Sequence, residues 1–294
     1  FAVLTNAEII LGNCHHLMAA SSPTGPAFEG AQISSGQRAA VGAIERVRIN
    51  PNNYEPIYKV IGSDQWSDSA DFHKEVKKTG LTGICGSGII EIIAEMYLAG
   101  IISEDGVING ALSSKTKRIE KSGRTFCYKV TEQIAITQAD VRAIQLAKAA
   151  LYAGFRLLMD KMGVEKVDKV ILAGAFGTHI EPKYAMILGM VPDCELKNVV
   201  VAGNSAGAGA RMALLSLMAR TEIEKIVRQI NKIETAIEPA FQDHFVRAMA
   251  FPHKTDPYSL LSKAIKLPHR ELIDNVVSAS TNSKRKRTGR RTRP

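Results

Sequence analysis

Short runs of apolar residues separated by turn signals give way, after residue 83, to long stretches with helical spacing. Glu8 to Leu11 predicts a strand ending at the Gly12-Asn13 turn, and Leu17 to Ala20 predicts its hairpin partner. Pro23 to Gly36, dense in Gly, Pro and Ser, predicts a loop. Arg46 to Asn50 and Ile57 to Ile61 predict two strands around Pro51-Asn52-Asn53, and residues 62–80 predict a polar surface excursion carrying Trp66 and Phe72.

The run from Gly86 to Leu98 is apolar except for Glu91 and Glu95, which lie four apart and predict one narrow polar stripe on an otherwise buried helix. Lys115 to Lys121 predicts a basic surface turn, and Thr125 to Val130 a strand. Thr137 followed by Asp140 predicts an N-cap with an acid three residues on. Behind it, Ile144, Ala147, Leu151, Phe155, Leu158 and Met162 repeat every three or four residues, and Gly163 marks the stop. Val167 to Leu172 and Val199 to Val201 predict buried parallel strands, each running into a glycine turn and a helix. Thr221 and Glu224 predict a second capping box ahead of Ile226, Val227 and Ile230. Pro239 predicts the start of a last short helix. Met186, Met190, Met212 and Met218 predict helix packing.

Composition narrows the class. The chain has 294 residues, 45% hydrophobic and 23% charged, which is ordinary globular usage. No apolar run of membrane-spanning length is free of charge, so no membrane partner is expected. The formal charge of +9 is uneven. Residues 284–294 carry seven basic and no acidic residues; without them 31 basic and 29 acidic residues nearly cancel. The expected organisation is one α/β unit over 1–268 and a basic, disordered tail over 269–294. A tail of this kind is usually a solvated end, and nucleic acid is not expected as a partner. Cys14, Cys85, Cys127 and Cys194 form no C-x-x-C pair, which argues against a disulfide framework or an iron–sulfur site and fits reduced thiols in the cytoplasm. A chain that opens on Phe1 reads as a fragment of a longer one.

Three glycine turns carry the candidate chemistry: Gly83 to Gly88, Gly174 to Gly177, and Gly203 to Gly209. Glycine admits close approach to the backbone, and the helix start beyond each turn offers free N–H groups to an anion. Neither a P-loop nor a G-x-G-x-x-G fingerprint with a following acid is present.

Five ordered segments make the chain similar to one family: Thr5 to Asn13, Gly25-Pro26-Ala27-Phe28-Glu29-Gly30-Ala31, Gly83-Ile84-Cys85-Gly86-Ser87-Gly88, Leu172 to Gly177, and Gly203 to Gly207, with Phe251-Pro252-His253 near the end. The series resembles the C-terminal part of the reductive activators of corrinoid proteins. The resemblance implies an actin, sugar kinase and Hsp70-type (ASKHA) fold, a mixed sheet flanked by helices. It also implies ATP and Mg²⁺ as ligands, a corrinoid protein as partner, and a homodimer. Intact relatives would couple ATP hydrolysis to reduction of cob(II)alamin to cob(I)alamin, with the electron coming from an iron–sulfur cluster outside the segment matched here. Carried onto this chain, the nucleotide-binding residues are Thr5, Asn6, Gly25, Glu29, Gly83, Gly86, Ser87, Gly174, Phe176, Gly177, Gly203 and Asn204. No catalytic or metal-ligating residue is assigned.

The chain departs from the family where its phosphate loop would read Asp-Ile-Gly-Thr-Asn: Ala2 replaces the Asp and Leu4 the Gly. With that loop altered and the first lobe absent, the isolated chain is expected to have little ATPase activity. An alternative reading is a non-catalytic scaffold of the same fold, dimerising through the 86–98 helix and the C-terminal helices. His15, His16 and His179 read as solvated histidines.

Overall fold

The hairpin pattern at the start of the chain becomes β2 (Ala7–Gly12) and β3 (Leu17–Ser22), paired antiparallel from Ala7 opposite Ser22 to Gly12 opposite Leu17. The computed structural model describes residues 2–3, 6–174, 177 and 179–268. β1 (Ala2–Val3) adds to the outer side of β2, and β12 (Ile230–Ile233) adds parallel to β3, completing a four-stranded sheet. The 25-residue helix α3 (Gln138–Met162) lies across β2 and β3. Its start is the expected capping box: the Thr137 hydroxyl accepts from the Asp140 N–H, while the Asp140 carboxylate accepts from the Thr137 N–H. Gly163 closes it in the left-handed conformation. Gly154 sets the distance to the sheet, since a Cβ there would stand 2.5 Å from the Ile9 side chain.

A second sheet holds β4 (Ala43–Ile49) between β5 (Pro56–Val60), antiparallel, and β6 (Gly83–Ile84), parallel. Helix α2 (Gly86–Leu98) follows β6 directly and is buried from Gly86 to Ala94. The 86–98 helix therefore has no face left for a subunit contact. The polar excursion contains α1 (Phe72–Thr79), which the composition of that stretch hid. Phe72 is buried edge-on against Tyr58, so it belongs to the core. Part of the expected basic turn is instead β7 (Ile119–Ser122), paired with β8 (Thr125–Lys129), which also pairs with β9 (Ala135–Thr137).

β10 (Val170–Leu172) and β11 (Val199–Val201) form the expected parallel pair. α4 (Pro182–Ile187) follows the first, and α5 (Ser205–Leu215) the second. α6 (Leu217–Gln229) starts five residues earlier than the sequence suggested. Ser216, not Thr221, is its N-cap, and the Thr221 hydroxyl instead donates back to the Leu217 carbonyl one turn earlier. α7 (Pro239–Arg247) packs on α3, and α8 (Ser259–Ala264) follows it. Met186 and Met190 are fully buried, but Met212 and Met218 point into solvent. Among the described residues, no helix is long and apolar enough to cross a membrane. The proposed tail, 269–294, lies outside the described residues.

Candidate functional site

The site grows out of the edge of β4. Beyond Ile44 that edge has no strand beside it, and α2 takes the place of one. The Ser87 hydroxyl donates to the Glu45 carbonyl (3.1 Å), the Val47 N–H donates to the Glu91 carboxylate (3.0 Å), and the Ile49 N–H donates to the Glu95 carboxylate (2.9 Å). The geometry explains the spacing: four residues of helix rise about 6 Å, and two residues of strand rise about 6.6 Å. Side chains at 87, 91 and 95 therefore keep step with backbone groups at 45, 47 and 49. Gly88 makes the approach possible, because a Cβ there would lie 2.4 Å from the Ile44 carbonyl oxygen.

Charge is balanced along this seam. Glu91 is buried and holds Arg46 and Arg48, each at 2.6 Å. Arg48 also reaches Glu181 at 3.0 Å, and its guanidinium lies over the rings of Trp66 and Tyr184. Burial opposes the charge on Arg48, but Glu91, Tyr184 and Glu181 outweigh it and raise its pKa. Tyr184 donates to Glu95, and burial with that carboxylate pushes the phenol well above its usual range. The two glutamates expected to line a polar stripe are thus the pegs that fix α2 on β4.

At the top of the seam lies a cavity of about 470 Å³. Phe28 and Ile61 supply apolar wall, and Glu29, Arg38, Glu45 and His179 bring polar groups to it. Its third side is the start of α2, Cys85 to Ser87. Glu45 is placed by a β-bulge: Ile44 pairs with Val60 and Arg46 with Lys59, so Glu45 is the extra residue. Bulges re-aim side chains in this way beside functional sites. The α2 N-terminus is uncapped. Cys85 makes no side-chain cap bond, and the helical ladder begins only with Ile89 donating to the Cys85 carbonyl. The Gly86, Ser87 and Gly88 N–H groups are thus the ones a helix start leaves over for an anion.

Of the residues expected from the sequence, Glu29, Gly86 and Ser87 line this cavity together. Gly25 sits at φ 69° just before the 3₁₀ turn Pro26–Glu29 that presents Phe28 and Glu29. Gly83 is a packing glycine, with Ser35 O 2.8 Å from where its Cβ would stand. Gly174 and Gly203 meet each other instead: the Gly174 N–H donates to the Gly203 carbonyl at 2.7 Å, at the C-terminal ends of β10 and β11. Asn204 spends its side chain capping α5, accepting from the Gly207 N–H at 2.9 Å. Gly177 packs behind Leu172, and Asn6 is exposed. None of these five lines the cavity, although His179, two residues beyond Gly177, does. Thr5 and Phe176 lie outside the described residues. Arg38 and Glu45 were not expected. Arg38 sits in a stretch with no pattern, and a bulge shows only once the strands are paired. Among the described residues, no three His, Cys, Asp or Glu side chains are grouped to hold a metal ion.

Residues 3–262 match the family described as the C-terminal domain of RACo, the ASKHA domain, and the chain belongs to that family. Its fold is accordingly ASKHA-like, mixed α/β with sheets flanked by helices. The chain is similar to the corrinoid activation enzyme RamQ of Eubacterium limosum, 35% identical over 84% of this chain and 41% of the relative. It is 25% identical to the [Co(II) methylated amine-specific corrinoid protein] reductase of Methanosarcina barkeri, over 96% of this chain and 51% of the relative. Among solved structures it resembles a reductive activator for corrinoid, iron-sulfur protein, with a TM-score of 0.74 and 34% identity over 86% of this chain and 39% of that one. The chain thus spans about half or less of the length of these relatives.

Proposed function

We propose that this chain is the C-terminal, nucleotide-binding part of an ATP-dependent reductive activator, acting on a corrinoid protein in the cytoplasm and assembling as a homodimer. Residues 1–268 form one lobe of the nucleotide cleft in this reading. The observation that carries it is the uncapped start of α2 opening on a cavity beside Arg38, on a chain whose other long helices cap themselves. That arrangement suits a phosphate. Two carboxylates in the same wall, Glu29 and Glu45, suit the other half of the ligand. Magnesium keeps most of its waters and needs only one or two carboxylates besides the phosphates. With Ala2 in place of the family's Asp, Glu29 and Glu45 are the acids left to orient those waters.

ATP would supply the free energy for closure between lobes, and closure shifts the affinity for the corrinoid partner only as far as the nucleotide binds the closed state better. This chain offers one wall of the cleft, whereas a ligand pocket usually encloses about 70–90% of its ligand. Binding without appreciable turnover is therefore expected. Calorimetric titration of Mg-ATP into the chain should give saturable heat, weakened at least about fivefold by Arg38→Ala. Absence of heat, or heat indifferent to Arg38, would overturn the nucleotide assignment. Steady hydrolysis at the rate of a full-length relative would overturn the one-walled reading.

A further inference from the structure

His179 reaches the cavity from the stretch between β10 and α4, and its neighbours in the chain show what holds it there. Ile180 is buried, and Glu181 is the N-cap of α4. Glutamate is not among the residues that cap well, and this carboxylate makes no capping bond. It turns instead to Arg48 at 3.0 Å and Lys183 at 3.1 Å. Arg48 at the same time holds Glu91 at 2.6 Å, the peg that fixes α2 on β4. Its guanidinium carbon lies 5.5 Å from the ring centroid of Trp66 and 5.1 Å from that of Tyr184. One side chain thus joins the seam behind the Cys85 to Ser87 wall, the segment that carries His179, and the 62–80 excursion that follows Ile61.

This arrangement suits the placing of His179 better than it suits stability. The two side chains of the Arg48–Glu181 pair are 32% and 35% exposed, and pairs this exposed contribute little to stability. Tyr184, fully buried and donating to Glu95, already fastens α4 to α2. What the pair adds is direction. Glu181 lies two residues beyond His179, across the buried Ile180. A planar fork held by Glu91 at one end and Glu181 at the other therefore sets how the imidazole stands toward the first N–H groups of α2. Neither Arg48 nor Glu181 lines the cavity, so both act there through His179. An imidazole N–H can donate to a phosphate oxygen in the neutral as well as the charged form.

We propose that His179 is a further contact to the phosphates of the nucleotide and that Glu181, held by Arg48, is its positioning residue. The proposal rests on the nucleotide reading above. Calorimetric titration of Mg-ATP into the 294-residue chain tests it through a double-mutant cycle, with circular dichroism as the folding control. His179→Ala should weaken binding about tenfold, through loss of one hydrogen bond to a charged group. Glu181→Gln keeps the size of the side chain and removes its charge, and should weaken binding about threefold. In the His179→Ala background the same change should cost nothing further, the non-additivity of two residues that act through one contact. A merely structural ion pair would leave the affinity alone. Equal Glu181→Gln penalties with and without the imidazole overturn the positioning role. Heat that Arg38→Ala weakens and His179→Ala leaves unchanged overturns this proposal and spares the nucleotide reading. A wild type that gives no heat, or heat indifferent to Arg38→Ala, overturns both.

Discussion

The α2–β4 seam and the α5–α6 hairpin begin alike, as a strand running into a glycine-rich turn and then a helix. In the seam Ser87, Glu91 and Glu95 are all paired with the β4 backbone, and eleven of the thirteen α2 residues are buried. In the hairpin no residue is buried, although its leucines and methionines are as apolar as the isoleucines of α2. Helix starts differ in the opposite sense. α2 leaves its first N–H groups uncapped at a cavity, whereas α5 and α6 cap theirs with Asn204 and Ser216. The element best anchored in the body thus presents the open, reactive end, and the element least anchored is closed at its start and exposed along its side. Precision in a binding wall comes from an immobile support, and an uncovered apolar side points to a surface completed by something else.

The sharpest way to break this contrast is to remove the central peg. Glu91→Ala strips an acceptor from the Val47 N–H and the common carboxylate from Arg46 and Arg48. Losing one partner of a buried pair costs about 3–5 kcal/mol. Both arginines are about a third exposed and can recover water, so the low end, about 3 kcal/mol, is expected in urea unfolding. The matched change on the hairpin, Glu222→Ala, should stay within about 0.5 kcal/mol. Equal losses at the two sites would mean that the carboxylate pegs contribute nothing special to the seam.

Gly88→Ala tests the same seam by volume. In an exposed helix, Gly to Ala gains about 1 kcal/mol from propensity. At Gly88 the new methyl would meet a backbone oxygen at 2.4 Å, and a carbonyl in a paired strand cannot swing aside as a side chain does. The expected net effect is a loss of about 1–3 kcal/mol, with weaker Mg-ATP binding because the start of α2 moves. A neutral or stabilising result would show that helix and strand can part without cost.

Much of this was legible along the chain, and the exceptions share a cause. The β2–β3 hairpin, the α3 capping box and the parallel β10–β11 pair are local patterns, and each could be read from spacing alone. Glu91 and Glu95 were visible as polar interruptions, but their partners are backbone N–H groups more than forty residues away, to which no periodicity points. Glu45 enters the site only through the register between β4 and β5. Gly203 and Asn204 carried the right motif, yet that motif describes a turn and its cap as well as it describes a ligand loop, and Asn204 is occupied as a cap. Met212 and Met218 had the right helical spacing for a core. Periodicity reports that a helix has an apolar face, and it is silent on whether the same chain covers that face.

The gentlest test inverts the sign of the Gly88 experiment. Gly209, inside α5, has no atom within 4 Å of where a Cβ would stand, and its backbone is not in the left-handed region. Gly209→Ala should therefore stabilise, by about 0.5–1 kcal/mol, through helix propensity and reduced freedom of the unfolded chain. Because the hairpin is sparsely tied to the body, the gain should appear as slower amide hydrogen exchange across 205–229 rather than as a shift of the main unfolding midpoint. A shift of the midpoint instead would mean that the hairpin and the body unfold as one unit, and the two regions would then differ in burial without differing in stability.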